Sequence, residues 1–188
     1  MENWIDTILK EIGIRCDENR KIIVAIDGRC AAGKTTLAAH LQRKVDCNVV
    51  HMDEFFLRPE QRTKERLEKP GGNVDYERFH EEVLKPLRRG EPFSYCPYDC
   101  QRQSLLSPIH VSPKKVNIVE GAYSCHPQFG NQYDLEVFLS IDPEKQRQRI
   151  LKRNGTVAAL AFEEKWIPLE EKYFKAYRIE EHCDLRFQ

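Results

Sequence analysis

The stretch GRCAAGKTT, residues 28 to 36, has the spacing GxxxxGK[ST]. Each residue type in that spacing suits a phosphate chain. Gly28 and Gly33 let backbone N–H groups converge on phosphate oxygens with no Cβ in the way. Arg29, Cys30, Ala31 and Ala32 supply the amides between them, and Thr36 carries the loop into a helix whose N-terminus adds positive potential. Lys34 is a mobile point charge for the β- and γ-phosphates, and the Thr35 hydroxyl suits Mg²⁺. ATP and Mg²⁺ are therefore the expected cofactors. Two acidic positions extend this chemistry. HMDEFF, residues 51 to 56, sets Asp53 where an apolar run ends, and VNIVEG ends in Glu120 and Gly121. A hydroxyl acceptor benefits from a carboxylate such as Asp53 that orients it and takes its proton, while Glu120 is placed to hold Mg²⁺ directly or through water. As alternatives, Asp53 is a solvated turn acid, and Glu54 with its phenylalanines is support.

For these residues to meet, the chain must bring several strand ends to one edge. KIIVAI reads as a strand buried on both faces, and KTTLAAHLQRK as the helix that the phosphate loop opens. NVVHM, VNIVE, LEVFLSI and a closing HCDLRF are further strand candidates. Trp4, Ile5, Ile8, Leu9 and Ile12 recur at helical spacing before Gly13. DYERFHEEVLKPL is helical, with Tyr76, Phe79, Val83, Leu84 and Leu87 on one side. DPEKQRQRILKR opens with Asp142 as cap and Pro143 at the first helical position, and Asn154-Gly155 is its expected end. A last helix follows Pro168. FSYC and IHVSP, punctuated by proline, read as an exposed hairpin. The charged run from Arg58 to Lys69 is either a mobile flap or a solvated helix. Strands alternating with helices predict an α/β fold of the P-loop NTPase kind: a five-stranded parallel sheet flanked by helices, with a small hairpin on the substrate side. In such sheets ligands sit beyond the carboxyl ends of the strands, which is where Asp53 and Glu120 fall.

Composition narrows the partners. The 188 residues predict one domain, 1–188. Lys plus Arg and Asp plus Glu number 30 each, so the net charge is zero, which argues against a nucleic-acid partner held by its phosphates. No apolar run is long enough to span a bilayer, and the start MENWIDTILKEIG lacks the apolar core of a signal peptide. The 7 cysteines form no CxxC pair, and Cys96 with Cys100 finds no second pair to complete a zinc site, so reduced thiols and a cytoplasmic location are expected. A phosphate loop serves small-molecule kinases, regulatory GTPases and ATP-driven modules alike. The chain lacks the guanine-reading NKxD and the LSGGQ signature, which favours the first class.

IVAIDGRCAAGKTTLA, HMDEFF, NVDYERF, PYDCQRQS, VNIVEGAYS and FEEKWIPLEEKYF follow one another in the order and approximate spacing of the uridine kinase family of P-loop kinases, and the chain resembles that family from Ile22 to its C-terminus. The resemblance implies ATP- and Mg²⁺-dependent phosphorylation of the 5′-hydroxyl of a nucleoside such as uridine or cytidine. It implies Asp53 as the base, Asp75 on ribose hydroxyls, Tyr98 against the base ring, and Arg149 and Arg153 on ATP phosphates from a lid helix. Asp75 is equally a helix cap, Tyr98 hairpin packing, and the arginine pair a solvated helix face. The chain departs from the family twice. Gln101, Arg102 and Gln103 stand where the family carries a pyrimidine-reading histidine, and only GTVAALA precedes FEEKW where the family has a longer basic lid. Arg102 is a candidate for an anionic acceptor or a plain surface arginine. Other hydroxyl acceptors, of pantothenate or nicotinamide riboside type, and a nucleotide-binding module without turnover stand as alternatives.

Overall fold

The computed structural model describes residues 1–16 and 21–188. In chain order the chain forms α1 (Glu2–Arg15), β1 (Ile22–Gly28), α2 (Lys34–Lys44), β2 (Cys47–His51), a 3₁₀ turn Met52–Phe55, α3 (Lys64–Glu68), α4 (Tyr76–Phe79) and α5 (Lys85–Arg89). Four short strands follow, β3 (Phe93–Tyr95), β4 (Tyr98–Asp99), β5 (Ser104–Leu105) and β6 (Ile109–Val111). Then come β7 (Val116–Glu120), β8 (Leu135–Leu139), α6 (Pro143–Ala161), a π turn Phe162–Trp166, α7 (Ile167–Tyr177), α8 (Ile179–His182) and β9 (Leu185–Phe187).

The main sheet has 5 strands in the order β2-β7-β1-β8-β9, and every pairing is parallel. The expected α/β fold is the one adopted. Its central strand β1 is buried along its whole length, and period-two alternation divides its side chains between two cores. Ile22, Val24 and Ile26 face α1 and α2, with Ile8, Leu37 and Leu41. Ile23 and Ala25 face the opposite core, with Phe79, Val83, Tyr173 and Phe174. That is why the strand reads as an unbroken apolar run: both faces are covered, and each large aliphatic side chain contributes roughly 1.5–3 kcal/mol by leaving water.

Three local outcomes refine the sequence reading. The helix expected from Asp75 is broken by a π turn, His80–Leu84, just before Pro86. Proline has no N–H for the preceding turn, and the wider turn absorbs that loss. Gly155, at φ 76° and ψ 173°, ends the first helical stretch of α6, as expected, and a second stretch follows it. The hairpin forms as two short antiparallel ladders, β3 with β6 and β4 with β5. The charged run from Arg58 to Lys69 contains a 3₁₀ turn and α3, and Arg66 pins it by donating to the carbonyls of Gly72 and Val74 and pairing with Glu77. No helix among the described residues is long and apolar enough to cross a membrane.

Candidate active site

All five strands of the parallel sheet point their carboxyl ends to one edge, and the loops leaving β1, β2 and β7 meet there. A cavity of about 1170 Å³ opens at that edge. It is lined by Cys30, Ala31 and Gly33 to Thr36 of the phosphate loop, by Asp53 and Phe56 after β2, and by Glu120 to Tyr123 after β7. Leu57, Arg62, Leu67, Asn73 and Cys100 form another part of its wall, and Arg149, Arg153 and the segment from Phe162 onward another. Pockets for single small ligands run to about 300–1,000 Å³, so this one lies beyond the large end of that range.

The glycines of the loop have different physical reasons. A Cβ on Gly28 (φ +133°) would lie 2.1 Å from the Leu139 carbonyl oxygen, so this glycine is required by strand packing against β8. Gly33 (φ +104°) meets only Met1 Cε at 3.8 Å, so its side faces open cavity, as a phosphate cradle requires. Ala31 also holds a positive φ of 60°. The Lys34 Nζ folds back onto the carbonyls of Gly28 (2.6 Å) and Arg29 (3.0 Å), within reach of any anion in the cradle.

Beneath the loop lies a residue that the sequence reading passed over. The Asp27 carboxylate is fully buried and accepts from the backbone N–H of Gly28 (2.6 Å), Tyr123 (3.0 Å) and Cys125 (2.9 Å) and from the Tyr173 hydroxyl (2.9 Å). Burial raises its pKa, and those bonds together with Lys34 oppose the rise. The available signal was an acid inside the β1 apolar run, where only a partnered carboxylate is tolerated. Helix α7 grips the loop as well. Glu170 accepts from the Cys30 N–H at 2.9 Å, and burial pushes its carboxyl up to about 6. Arg29 lies between Glu171 (2.7 Å) and Glu180 (3.2 Å) and donates to Ser140 Oγ (2.8 Å), so its guanidinium is structural in this arrangement.

The metal-side residues expected from sequence are brought together. The Thr35 hydroxyl donates to Glu120 Oε1 at 3.0 Å, and His51 Nδ1 lies 2.6 Å from the same oxygen. That contact raises the His51 pKa. Gly121 permits the approach of the β2 turn: a Cβ there would lie 2.8 Å from Met52 Cβ and 3.3 Å from Asp53 Oδ1. The Thr35 hydroxyl and the Glu120 carboxylate are hard oxygen donors, a pair that fits Mg²⁺. Asp53 differs from its neighbours. Among the described residues no hydrogen bond or ion pair engages it, and it is open to the cavity while protein crowds its other sides. That crowding raises its pKa, with Glu120 adding and Lys34, His51 and Arg153 opposing. Glu54 turns away and accepts from the Tyr95 hydroxyl at 2.7 Å. Phe55 is core, beneath the Arg78 guanidinium, so Phe56 alone of the two rings lines the cavity.

The remaining expected residues divide. Arg149 and Arg153 line the cavity from α6; Arg149 donates to the Ala31 carbonyl at 3.0 Å, and Arg153 to Asn154 at 2.8 Å. Asp75 is buried as the α4 cap, accepting from the Arg78 N–H (3.1 Å) and from Gln61 Nε2 (2.7 Å), and it faces a smaller neighbouring pocket. Tyr98 is buried in the hairpin outside the cavity lining, because Leu105 pairs opposite it and the core takes its ring. Arg102 lies on the surface, its guanidinium 3.7 Å from Asp99. The family resemblance implied acceptor contacts for Asp75 and Tyr98, and Arg102 was a candidate beside them; in the structure the helix cap, the hairpin pairing and Asp99 occupy these three. Cys100, Arg62 and Asn73 line the cavity instead. Among the described residues no disulfide is present, and Cys96 and Cys100 join no group able to hold a metal.

No protein-family model matches the sequence, and no curated protein sequence does either. Solved structures do. A possible uridine kinase from Bacillus stearothermophilus superposes with a TM-score of 0.74 at 20% identity, over 100% of this chain and 98% of that one. A candidate fructose transport system kinase from Silicibacter sp. TM1040 superposes with a TM-score of 0.76 at 21% identity, over 98% of each chain. The chain has the fold of P-loop kinases. At these identities the likeness concerns the path of the backbone, and the chemistry rests on the residues in the cavity.

Proposed function

We propose that this chain is a small-molecule kinase that transfers the γ-phosphoryl group of ATP, with Mg²⁺, to a hydroxyl. The observation that carries this reading is Asp53. Of the carboxylates beside the phosphate loop, Glu120 is engaged by Thr35 and His51 and Glu170 by the Cys30 N–H, whereas Asp53, at the end of β2, has no hydrogen-bond partner among the described residues. A carboxylate left open beside a phosphate cradle suits a hydroxyl acceptor. The loop amides and Lys34 would hold the β- and γ-phosphates, with Arg149 and Arg153 approaching from α6. Thr35 and Glu120 are the residues that would hold Mg²⁺, which offsets charge on the phosphates when bound. Asp53 would aim the acceptor hydroxyl and take its proton, in a site where Phe56 excludes water from one side.

A nucleoside acceptor is the finer reading that the order of motifs implies, and the candidate uridine kinase neighbour supports it at the level of fold. The cavity lends it less support, since Tyr98 and Arg102 lie outside the lining and Asp75 is occupied as a cap. ADP release measured with ATP–Mg²⁺ and a panel of hydroxyl compounds tests the proposal. Acceptor-dependent release is expected. Slow release indifferent to every acceptor would instead mark a nucleotide-binding module.

A further inference from the structure

Arginines in this chain are mostly spoken for. Arg29, Arg66, Arg78 and Arg88 each bond a carboxylate. Arg62 does not: among the described residues no carboxylate pairs with it, and its one hydrogen bond runs from Nε to the Leu57 carbonyl at 2.9 Å. Its remaining four N–H donors are uncommitted, and the residue lines the cavity. The same backbone rung presents a second unmet donor. Leu57 donates its N–H to the Asn73 carbonyl at 3.1 Å, so Asn73 and Arg62 are tied to the two sides of one residue. Asn73 is only 9% exposed and lines the cavity beside Tyr123; its side chain acts on the Tyr123 hydroxyl, but its buried Nδ2 makes no hydrogen bond of good geometry. A buried amide donor without a well-formed hydrogen bond is costly, and a bound oxygen would remove that cost. Arg62, Asp53 and Cys100 line the same cavity. Phe56 and Leu57 complete that wall.

We propose that the phosphoryl acceptor carries an anionic group, a carboxylate or a phosphate monoester, bound by the Arg62 guanidinium, with Asn73 Nδ2 donating to an adjacent oxygen and the reacting hydroxyl at Asp53. This rests on the phosphotransfer reading above and names the acceptor class for that same site. In the step, the hydroxyl oxygen forms the bond to the γ-phosphorus and the bond from that phosphorus to the β–γ bridging oxygen breaks. ADP leaves with that electron pair, and the hydroxyl proton passes to Asp53. The guanidinium is suited to this task because its planar fork meets two oxygens of a carboxylate or phosphate at once. A neutral sugar or nucleoside would leave Arg62 and Asn73 without their oxygens.

The test measures ADP release at saturating ATP–Mg²⁺ with acceptors paired by charge: glycerate against glycerol, hexose 6-phosphates against free hexoses, and neutral nucleosides alongside. The first pair probes a carboxylate and the second a phosphate. The expected result is a charged member with kcat/KM at least roughly tenfold above its neutral counterpart, and an Arg62→Ala variant whose KM for that acceptor rises about 10–100-fold, the span of one charge-assisted hydrogen bond or bidentate pair. ATP affinity should stay within about twofold, and Arg62→Lys should recover part of the loss. Arg62→Gln, which keeps a donor for Leu57, replaces Arg62→Ala if that variant does not fold. A neutral acceptor used as well as its charged counterpart, or an unchanged KM in the Arg62 variants, overturns the inference and leaves the kinase reading standing. Acceptor-independent ADP release across every pair overturns both.

Discussion

The phosphate cradle and the acceptor wall share one cavity but are built on opposite terms. In the cradle, polar groups are answered within the chain. Asp27 takes three backbone N–H groups and one hydroxyl, Glu170 takes the Cys30 N–H, Gln146 Nε2 donates to the Cys30 carbonyl at 3.0 Å, and Arg29 sits between two glutamates. Along the acceptor side, the buried Asn73 Nδ2 makes no hydrogen bond of good geometry, and Arg62 has no carboxylate. Buried polar groups are nearly always satisfied, so a cluster that is not marks a place where a ligand supplies the missing atoms. On the proposed kinase reading, the difference reflects the two substrates. A triphosphate presents one shape, and a rigid loop held from below can be finished in advance. The acceptor varies between enzymes of this fold, and its wall is completed only by the molecule it binds.

The comparison breaks most readily at Asp53, where the two halves meet. Asp53→Asn keeps the size of the side chain and removes the proton acceptor, so kcat should fall about 10²–10⁴-fold with ATP binding retained. Glu54→Gln, whose carboxylate turns to Tyr95, should move kcat far less. Steady-state kinetics with a separate ATP-binding assay check both, and a dead Glu54 variant beside a normal Asp53 variant would reverse the assignment. On the cradle side, Asp27→Ala should cost roughly 3–5 kcal/mol of stability, since several buried donors lose their acceptor at once. Urea unfolding measures this, and a loss below about 1 kcal/mol would mean that the loop does not depend on its buried carboxylate.

His126 backs the cradle, and its protonation sharpens the contrast. Its ring stacks on Tyr76 of α4 and on Tyr173, the residue that donates to Asp27. Burial lowers its pKa from 6.5 to about 4, so the folded state holds it neutral where the unfolded chain would charge it. Its contribution is fully present above pH 6.5 and is lost as pH falls toward about 4, a span worth about 3 kcal/mol. Unfolding free energy measured across that range should drop on acidification in the wild type and drop less in His126→Phe. Identical slopes would remove His126 from the account. The smallest effect is expected in the hairpin. Tyr98→Phe deletes a hydroxyl that has no partner, so stability should shift by less than about 1 kcal/mol, with acceptor KM unchanged. A KM rise of tenfold or more would return the hairpin to the acceptor site.

Much of the cradle was legible in the residues themselves. The spacing of Gly28, Gly33, Lys34 and Thr35 after an apolar strand can hardly serve another fold, because a tight loop, a following helix N-terminus and a covered parallel strand constrain the chain within a few residues of one another. Asp53 and Glu120 were legible for a related reason: both end strands, and parallel strands leave their carboxyl ends at one edge. Tyr98, Asp75 and Arg102 were not, because the side a residue faces in a short hairpin or helix cap depends on its pairing partner. Leu105, the Arg78 N–H and Asp99 made those choices.

Sequence by itself therefore determined the elements, the nucleotide loop and the pair of strand-end acids, since each follows from local spacing and from the periodicity of apolar residues. Only the tertiary structure decided which residues line the cavity. Arg62 and Asn73 stand 11 positions apart in an ordinary charged stretch, and no motif marks them. They become neighbours because the chain after β2 folds back, with Phe56 bridged to Val74 and Leu57 bonded to Asn73. Asp27 was visible as an acid inside an apolar strand, but its role required the Tyr123, Cys125 and Tyr173 donors to arrive from distant segments. Local spacing encodes what neighbouring residues do together; long-range closure decides which unsatisfied donors are left facing the cavity.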